Sequence, residues 1–166
     1  MSMICLGTNN RSDDFRFDTS NTDWKPFVTD GCFYRILDVN VPARTAEMLI
    51  KFEPNGRCLY HRHAAAVKTL VLEGDLHLYE PTPNGEVHTI KPAGSFSMGA
   101  GGEVHIEGAE EKPVIVYFSM ASETDVIYEL LDRNLNLKRA ITVQDFDADW
   151  KKWHVVETAS PIRQAG

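Results

Sequence analysis

At 166 residues, 43% of them hydrophobic, the chain is the size of one ordinary domain and can bury a substantial core without disulfide or metal staples. It carries 24 Asp and Glu against 17 Lys and Arg, a net charge of −7, which disfavours nucleic acid and anionic membrane surfaces and leaves small molecules or other proteins as partners. Cys5, Cys32 and Cys58 are odd in number and irregularly spaced, as free thiols in a reducing compartment are; Met1–Gly7 lacks a basic leader, and no run approaches the roughly 18 apolar residues of a membrane span, so a soluble cytoplasmic protein is expected.

Residues 1–23 are polar and without sustained periodicity, which predicts a surface arm held only by Phe15 and Phe17. The packed part begins at Trp24, Pro26 and Phe27. Strands are expected at Cys32–Val39 and at Thr45–Phe52, the second alternating Ala46, Met48, Ile50 and Phe52 against Thr45, Glu47, Leu49 and Lys51. After a Pro54-Asn55-Gly56 turn and a His61-Arg62-His63 strand come Val67–Leu72, the Glu73-Gly74 turn, Leu76–Tyr79, a turn over Pro81–Gly85, Glu86–Ile90, and Val114–Met120 after Pro113. Turns every 8–12 residues or so mark an all-β sandwich or barrel. Val126–Leu131 is a further apolar run and Leu137–Ile141 a short strand. Thr142 with Asp145 three residues on resembles a capping box, and Val143, Phe146, Trp150 and Trp153 fall at helical spacing. The division expected is an arm (1–23), a β-barrel (24–141), and a C-terminal helix and tail packed outside it (142–166).

Two stretches carry the chemistry. In PNGRCLYHRHAAAVKTLVLEG, His61 and His63 stand on one face of a strand, about 6.5–7 Å apart at the backbone, from where both imidazoles can lean onto one ion. In GSFSMGAGGEVHIEG, Gly99, Gly101 and Gly102 make a tight turn that puts His105 just inside a strand lying across from the first.

These residues resemble the cupin superfamily. Gly56, His61-x-His63 and Gly74 match the spacing of its first motif, and Gly94, Ala100-x-Gly102 and His105 that of its second. Val67 and Lys68 stand where the family usually has a glutamate ligand; Ala100 replaces the usual proline of the second motif, and Ala109 its last asparagine. The resemblance implies an RmlC-like jelly roll of the three-His subset that includes acetylacetone and dihydroxyacetophenone dioxygenases, with His61, His63 and His105 as metal ligands. One divalent ion is implied, Fe(II) first, with zinc or nickel as alternatives. Three neutral imidazoles would leave that ion its full charge, which favours an anionic substrate such as the enolate of a diketone or aryl hydroxyketone, cleaved by dioxygen at a carbon–carbon bond. The other readings are a non-oxidative isomerase, hydrolase or lyase, a non-catalytic ligand-binding or sensing module, and a site that binds nothing.

Two further residues are candidates for the reaction. Glu80 shares a strand face with Leu76 and Leu78, from which its carboxylate reaches the metal or the substrate if that face is interior. Arg57 shares strand parity with His61 and His63 and is placed to hold an anion. His77 and His88 read as surface residues, His154 as a partner of the negative helix end, and Cys58 and Tyr60 as packing. Val67, Thr69 and Val71 share a face expected to line the pocket. Exposed edge strands in such a barrel are expected to be covered in a homodimer or higher homo-oligomer.

Overall fold

The structure, a computed structural model, describes residues 6–7 and 16–158, with side chains over 18–153. Cys5, Phe15 and the side chains of Phe17 and His154 lie outside the described residues. Fourteen strands precede one helix: β1 (Leu6–Gly7), β2 (Arg16–Phe17), β3 (Lys25–Pro26), β4 (Cys32–Asn40), β5 (Thr45–Phe52), β6 (His61–His63), β7 (Ala66–Glu73), β8 (Asp75–Thr82), β9 (Gly85–Pro92), β10 (Phe96–Gly99), β11 (Val104–Gly108), β12 (Val114–Ala121), β13 (Val126–Leu131), β14 (Leu137–Thr142) and α1 (Val143–Thr158).

Beyond the small β1–β2 pair, the strands form two six-stranded sheets in the orders β10-β7-β12-β5-β4-β3 and β14-β13-β6-β11-β8-β9. Every pairing is antiparallel. Chain neighbours cross repeatedly from one sheet to the other, which is the jelly-roll arrangement. The core lies between the sheets, where the inward-facing residues of the central strands are apolar. Ala46, Met48, Ile50 and Phe52 of β5 and Val114, Val116, Phe118 and Met120 of β12 are all buried, and Val67 and Val71 of β7 and Leu76 and Leu78 of β8 face them.

Two elements differ from the sequence reading. Residues 96–99 form β10, paired with β7 from Phe96↔Leu70 to Gly99↔Val67, where no strand was expected. Four residues flanked by glycines carry too little alternation to announce a strand; the partner's open edge supplies the bonds. β8 runs on through Pro81, which pairs with Glu86, so the hairpin turn is tighter than Pro81–Gly85.

Helix α1 starts where the capping residues stand. Asp145 N–H donates to Thr142 Oγ1 at 3.2 Å, while Asp145 Oδ2 accepts from Thr142 N–H at 2.8 Å, the reciprocal bonds of a capping box. Val143 and Phe146 are buried against the barrel and Trp150 packs beside them. Tyr34 of β4 donates its hydroxyl to Asp149 at 2.5 Å, and Lys25 Nζ sits 3.1 Å over the Trp153 ring, so the helix is tied to the β3–β4 edge. Among the described residues no helix is long and apolar enough to cross a membrane. Cys32 and Cys58 are free and buried.

Candidate metal centre

The site is made by two short strands of one sheet. β6 turns His61 and His63 inward and Arg62 outward, where its guanidinium pairs with Glu129 at 2.8 Å. β11 runs antiparallel beside it in a register that sets His105 opposite His61. Gly101 and Gly102 take φ of +98° and +96° just before β11, a backbone that other residues rarely adopt, and Gly102 N–H donates to His63 C=O at 2.6 Å. The glycine turn thus fixes how β11 meets β6.

Because side chains alternate along a strand, Glu107 projects on the same side as His105. His61, His63, His105 and Glu107 are all buried and each offers a ligand atom within 4.8 Å of the others. Nε2 of His61 lies 3.2 Å from Nε2 of His63 and 3.7 Å from Glu107 Oε2, and Nε2 of His105 lies 3.4 Å from Glu107 Oε1. Two donors at right angles, each about 2.1 Å from one ion, stand about 3 Å apart, so these spacings are nearly those of a filled coordination shell.

The protonation pattern fits an ion as well. Burial lowers His61 and His63 below the ordinary imidazole value, His63 to about 3, so both are neutral donors. Nδ1 of His61 is 3.0 Å from Leu59 C=O and donates to it, which leaves Nε2 with its lone pair facing the cluster. Burial alone would lower His105 and raise Glu107, yet the carboxylate raises His105 and the imidazolium lowers Glu107. His63 Nδ1 and His105 Nε2 are buried without a hydrogen-bond partner. A divalent cation gives the His105 nitrogen and the crowded His61–His63 pair a common partner, so the residues present fit a metal.

Cys58, expected as plain packing, touches the site. Its Sγ lies 3.4 Å from His61 Nδ1 and accepts the Glu107 N–H at 3.2 Å. Burial pushes its thiol well up, so it stays protonated and acts on the position of Glu107.

A cavity of about 130 Å³ opens beside His63, His105 and Glu107, with Val67, Thr69 and Leu78 on its apolar side and Glu80, Lys91 and Ser97 on its polar one. On the opposite side His61 and His63 border a smaller recess walled by Met48, Phe118 and Tyr128. Val67 and Thr69 line the pocket as expected, whereas Val71 of the same strand face is buried in the core and does not. Glu80 is half-buried in the same cavity but is not one of the four clustered donors.

The structure does not bring Arg57 to this cavity. Residues 58–60 are not extended strand, so the parity count from His61 back to Arg57 breaks. Arg57 instead stacks 4.3 Å over the Tyr79 ring and bonds Glu110 at 2.5 Å; Tyr79 alternates with Leu78 and Glu80, which puts Arg57 on the sheet's outer face. His77 and His88 lie on that outer face too, their nitrogens 2.9 Å apart, with His88 stacked on Tyr79.

The residue that sequence reasoning missed is Glu107. Its signal was present in His105-Ile106-Glu107, the same i, i+2 spacing as His61-x-His63, but the missing carboxylate was sought near Val67 and Lys68, on a strand of the facing sheet.

A jelly roll with three histidines and a glutamate converging between its sheets defines a metal-binding cupin. Residues 12–123 match the ChrR cupin-like domain family, and the chain belongs to that family. No curated protein matches the chain. Among solved structures it is similar to an RmlC-like cupin protein from Ralstonia eutropha JMP134 (TM-score 0.67, 16% identity, covering 87% of this chain and 89% of the other). It is also similar to an acetylacetone dioxygenase from Acinetobacter johnsonii (0.64, 14%, 91% and 99%) and to the polyketide cyclase RemF from Streptomyces resistomycificus (0.54, 16%, 77% and 84%). Identities this low show the shared fold. The cluster together with cupin relatives supports a divalent metal.

Proposed function

We propose that this protein is a mononuclear non-haem Fe(II) dioxygenase that cleaves a carbon–carbon bond of a small diketone or hydroxyketone, with His61, His63, His105 and Glu107 as the residues that hold the ion. The observation that carries this reading is the buried four-donor cluster opening directly onto a small cavity with one apolar wall. The fold likeness to an acetylacetone dioxygenase agrees with it. The bound ion would supply Lewis acidity toward a carbonyl oxygen and redox chemistry with dioxygen.

The chain's own residues set what can react there. Three neutral imidazoles and one carboxylate leave a divalent ion with a single net positive charge, rather than the full charge expected from histidines alone. A singly charged enolate matches it. Glu80, in the cavity beside His105, is the carboxylate positioned to accept the proton released as a carbonyl compound becomes its enolate. Val67, Thr69 and Leu78 orient the carbon skeleton and keep water out. A cavity of about 130 Å³ is close to the roughly 150 Å³ that holds one benzene, which favours a small diketone over an aryl hydroxyketone. Arg57 has no part in this reaction.

The test is metal content by mass spectrometry on protein purified without a metal-affinity column, paired with oxygen uptake by the Fe(II)-loaded form over a panel of diketones and hydroxyketones. One iron per chain with oxygen consumption is expected. Zinc or nickel without oxygen uptake would replace this reading with non-oxidative chemistry or ligand sensing, and no metal would remove the centre altogether.

A further inference from the structure

Lys91 is a cation that faces into the metal-site cavity. It lies on the inner face of β9 and lines the metal-site cavity, two residues after Thr89, which lines it too. Its Nζ donates to Ser97 Oγ at 2.9 Å, across the gap between the two sheets. Among the described residues Lys91 has no carboxylate partner, although it is half-buried and its charge reaches both His63 and His105. Beside an ion that keeps one positive charge, a second, half-buried cation repels unless an anion enters between them.

The cavity's own carboxylate is not that anion. Glu80 pairs with Val87 on the β8–β9 ladder, whereas Lys91 pairs with Leu76, so their backbones stand four residues apart along the strands. Glu80 sits at the His105 end and Lys91 at the other. The pocket is therefore polar at both ends, apolar along its side, and basic only at the end closed by Lys91 and Ser97.

We propose that Lys91, with the hydroxyls of Ser97 and Thr89, is the carboxylate-binding end of this cavity, and that the substrate is a small carboxylate-bearing carbonyl compound, of which a β-keto acid is the simplest kind. The inference rests on the metal-site reading above and narrows it from neutral diketones to keto acids. An ammonium–carboxylate bond at one end of the cavity gives both affinity and orientation, fixing which end of the molecule meets the ion. Lys91 is here a substrate-binding residue, distinct from the four that hold the ion.

Acetoacetate and acetylacetone are near-isosteric, one ending in a carboxylate where the other ends in an acetyl methyl, and they separate charge from shape. Each is titrated calorimetrically into zinc-loaded protein, whose lack of redox chemistry leaves the ligand intact. Wild type is expected to bind acetoacetate about tenfold or more tightly than acetylacetone, as one charge-assisted bond provides. Lys91→Met should abolish that preference and Lys91→Arg should restore part of it, with zinc stoichiometry unchanged in both. Equal binding of the two ligands by wild type, or a preference that survives in a folded Lys91→Met protein, would overturn the proposal. Oxygen uptake by the iron form is read separately: its absence alongside a Lys91-dependent preference removes the dioxygenase reading and leaves the carboxylate pocket standing, and the reverse pattern does the opposite.

Discussion

Glu107 holds its carboxylate oxygen 3.4 Å from Nε2 of His105, two residues before it on the same short strand. The pair repeats across the β6–β11 ladder the spacing of His61 and His63, so two adjacent strands each contribute two donors to one buried point. That relationship makes the centre a four-donor site, and it orders what should happen when each part is changed.

Glu107→Gln keeps the size of the side chain and removes its charge. Metal affinity should fall at least about tenfold, since even partners one shell further out commonly cost that much. His61→Ala, His63→Ala and His105→Ala should each lose stoichiometric metal. Competition with a chromogenic chelator measures both effects; Glu107→Gln protein that holds metal as tightly as wild type would show that the carboxylate is not a ligand.

The metal-free and metal-loaded proteins should respond to pH with opposite sign. His105 has a folded-state value raised above its ordinary 6.5 by Glu107, so in the metal-free protein this pair stabilises fully below about pH 6.5 and the contribution fades as pH rises through the raised value. An ion must displace the His105 proton, so metal affinity should instead rise over that same window and then level off. Above about pH 7, where the unfolded chain no longer protonates His61 and His63 and their opposing slope has faded, thermal melts with and without chelator should display a falling Tm only in the chelated sample. Parallel curves would mean that His105 carries no such proton.

Gly108→Ala tests how closely the strand carrying Glu107 must approach its neighbour. A Cβ on Gly108 would stand 2.5 Å from Gly56 C=O and 2.6 Å from Arg57 Cγ, closer than packed atoms tolerate, and Arg57 bridges Gly108 there. Destabilisation of roughly 1–3 kcal/mol is expected, with weakened metal binding because Glu107 is the preceding residue. Denaturant unfolding and metal titration on the same variant read the two effects together.

Thr142→Ala serves as the contrasting change. It removes the hydroxyl that accepts the Asp145 N–H at the start of α1, at a cost of about 1 kcal/mol. The variant should melt earlier yet bind metal with wild-type stoichiometry, because the capping box touches none of the four donors. Loss of metal here would mean that the helix supports the site.

The strands that announced themselves were those whose neighbours differ in polarity. β5 buries Ala46, Met48, Ile50 and Phe52, as periodicity predicts, and Leu49 on the other face besides. The capping box at Thr142 was readable because it needs only four consecutive residues. β10 was not, because its pairing depends on β7 offering an edge. Arg57 misled for a related reason. Parity can be counted only along an unbroken strand, and residues 58–60 belong to none.

By itself the sequence determined the all-β class, the jelly-roll resemblance, the C-terminal helix and three histidines able to share an ion, because each depends on periodicity or spacing within a few residues. Only the tertiary structure decided that Glu107 joins them, that Arg57 faces away, and that Lys91 enters the same cavity as Glu80. Those facts depend on strand register and on which sheet faces which, and both are set by contacts between residues far apart in the chain, where local patterning carries no information.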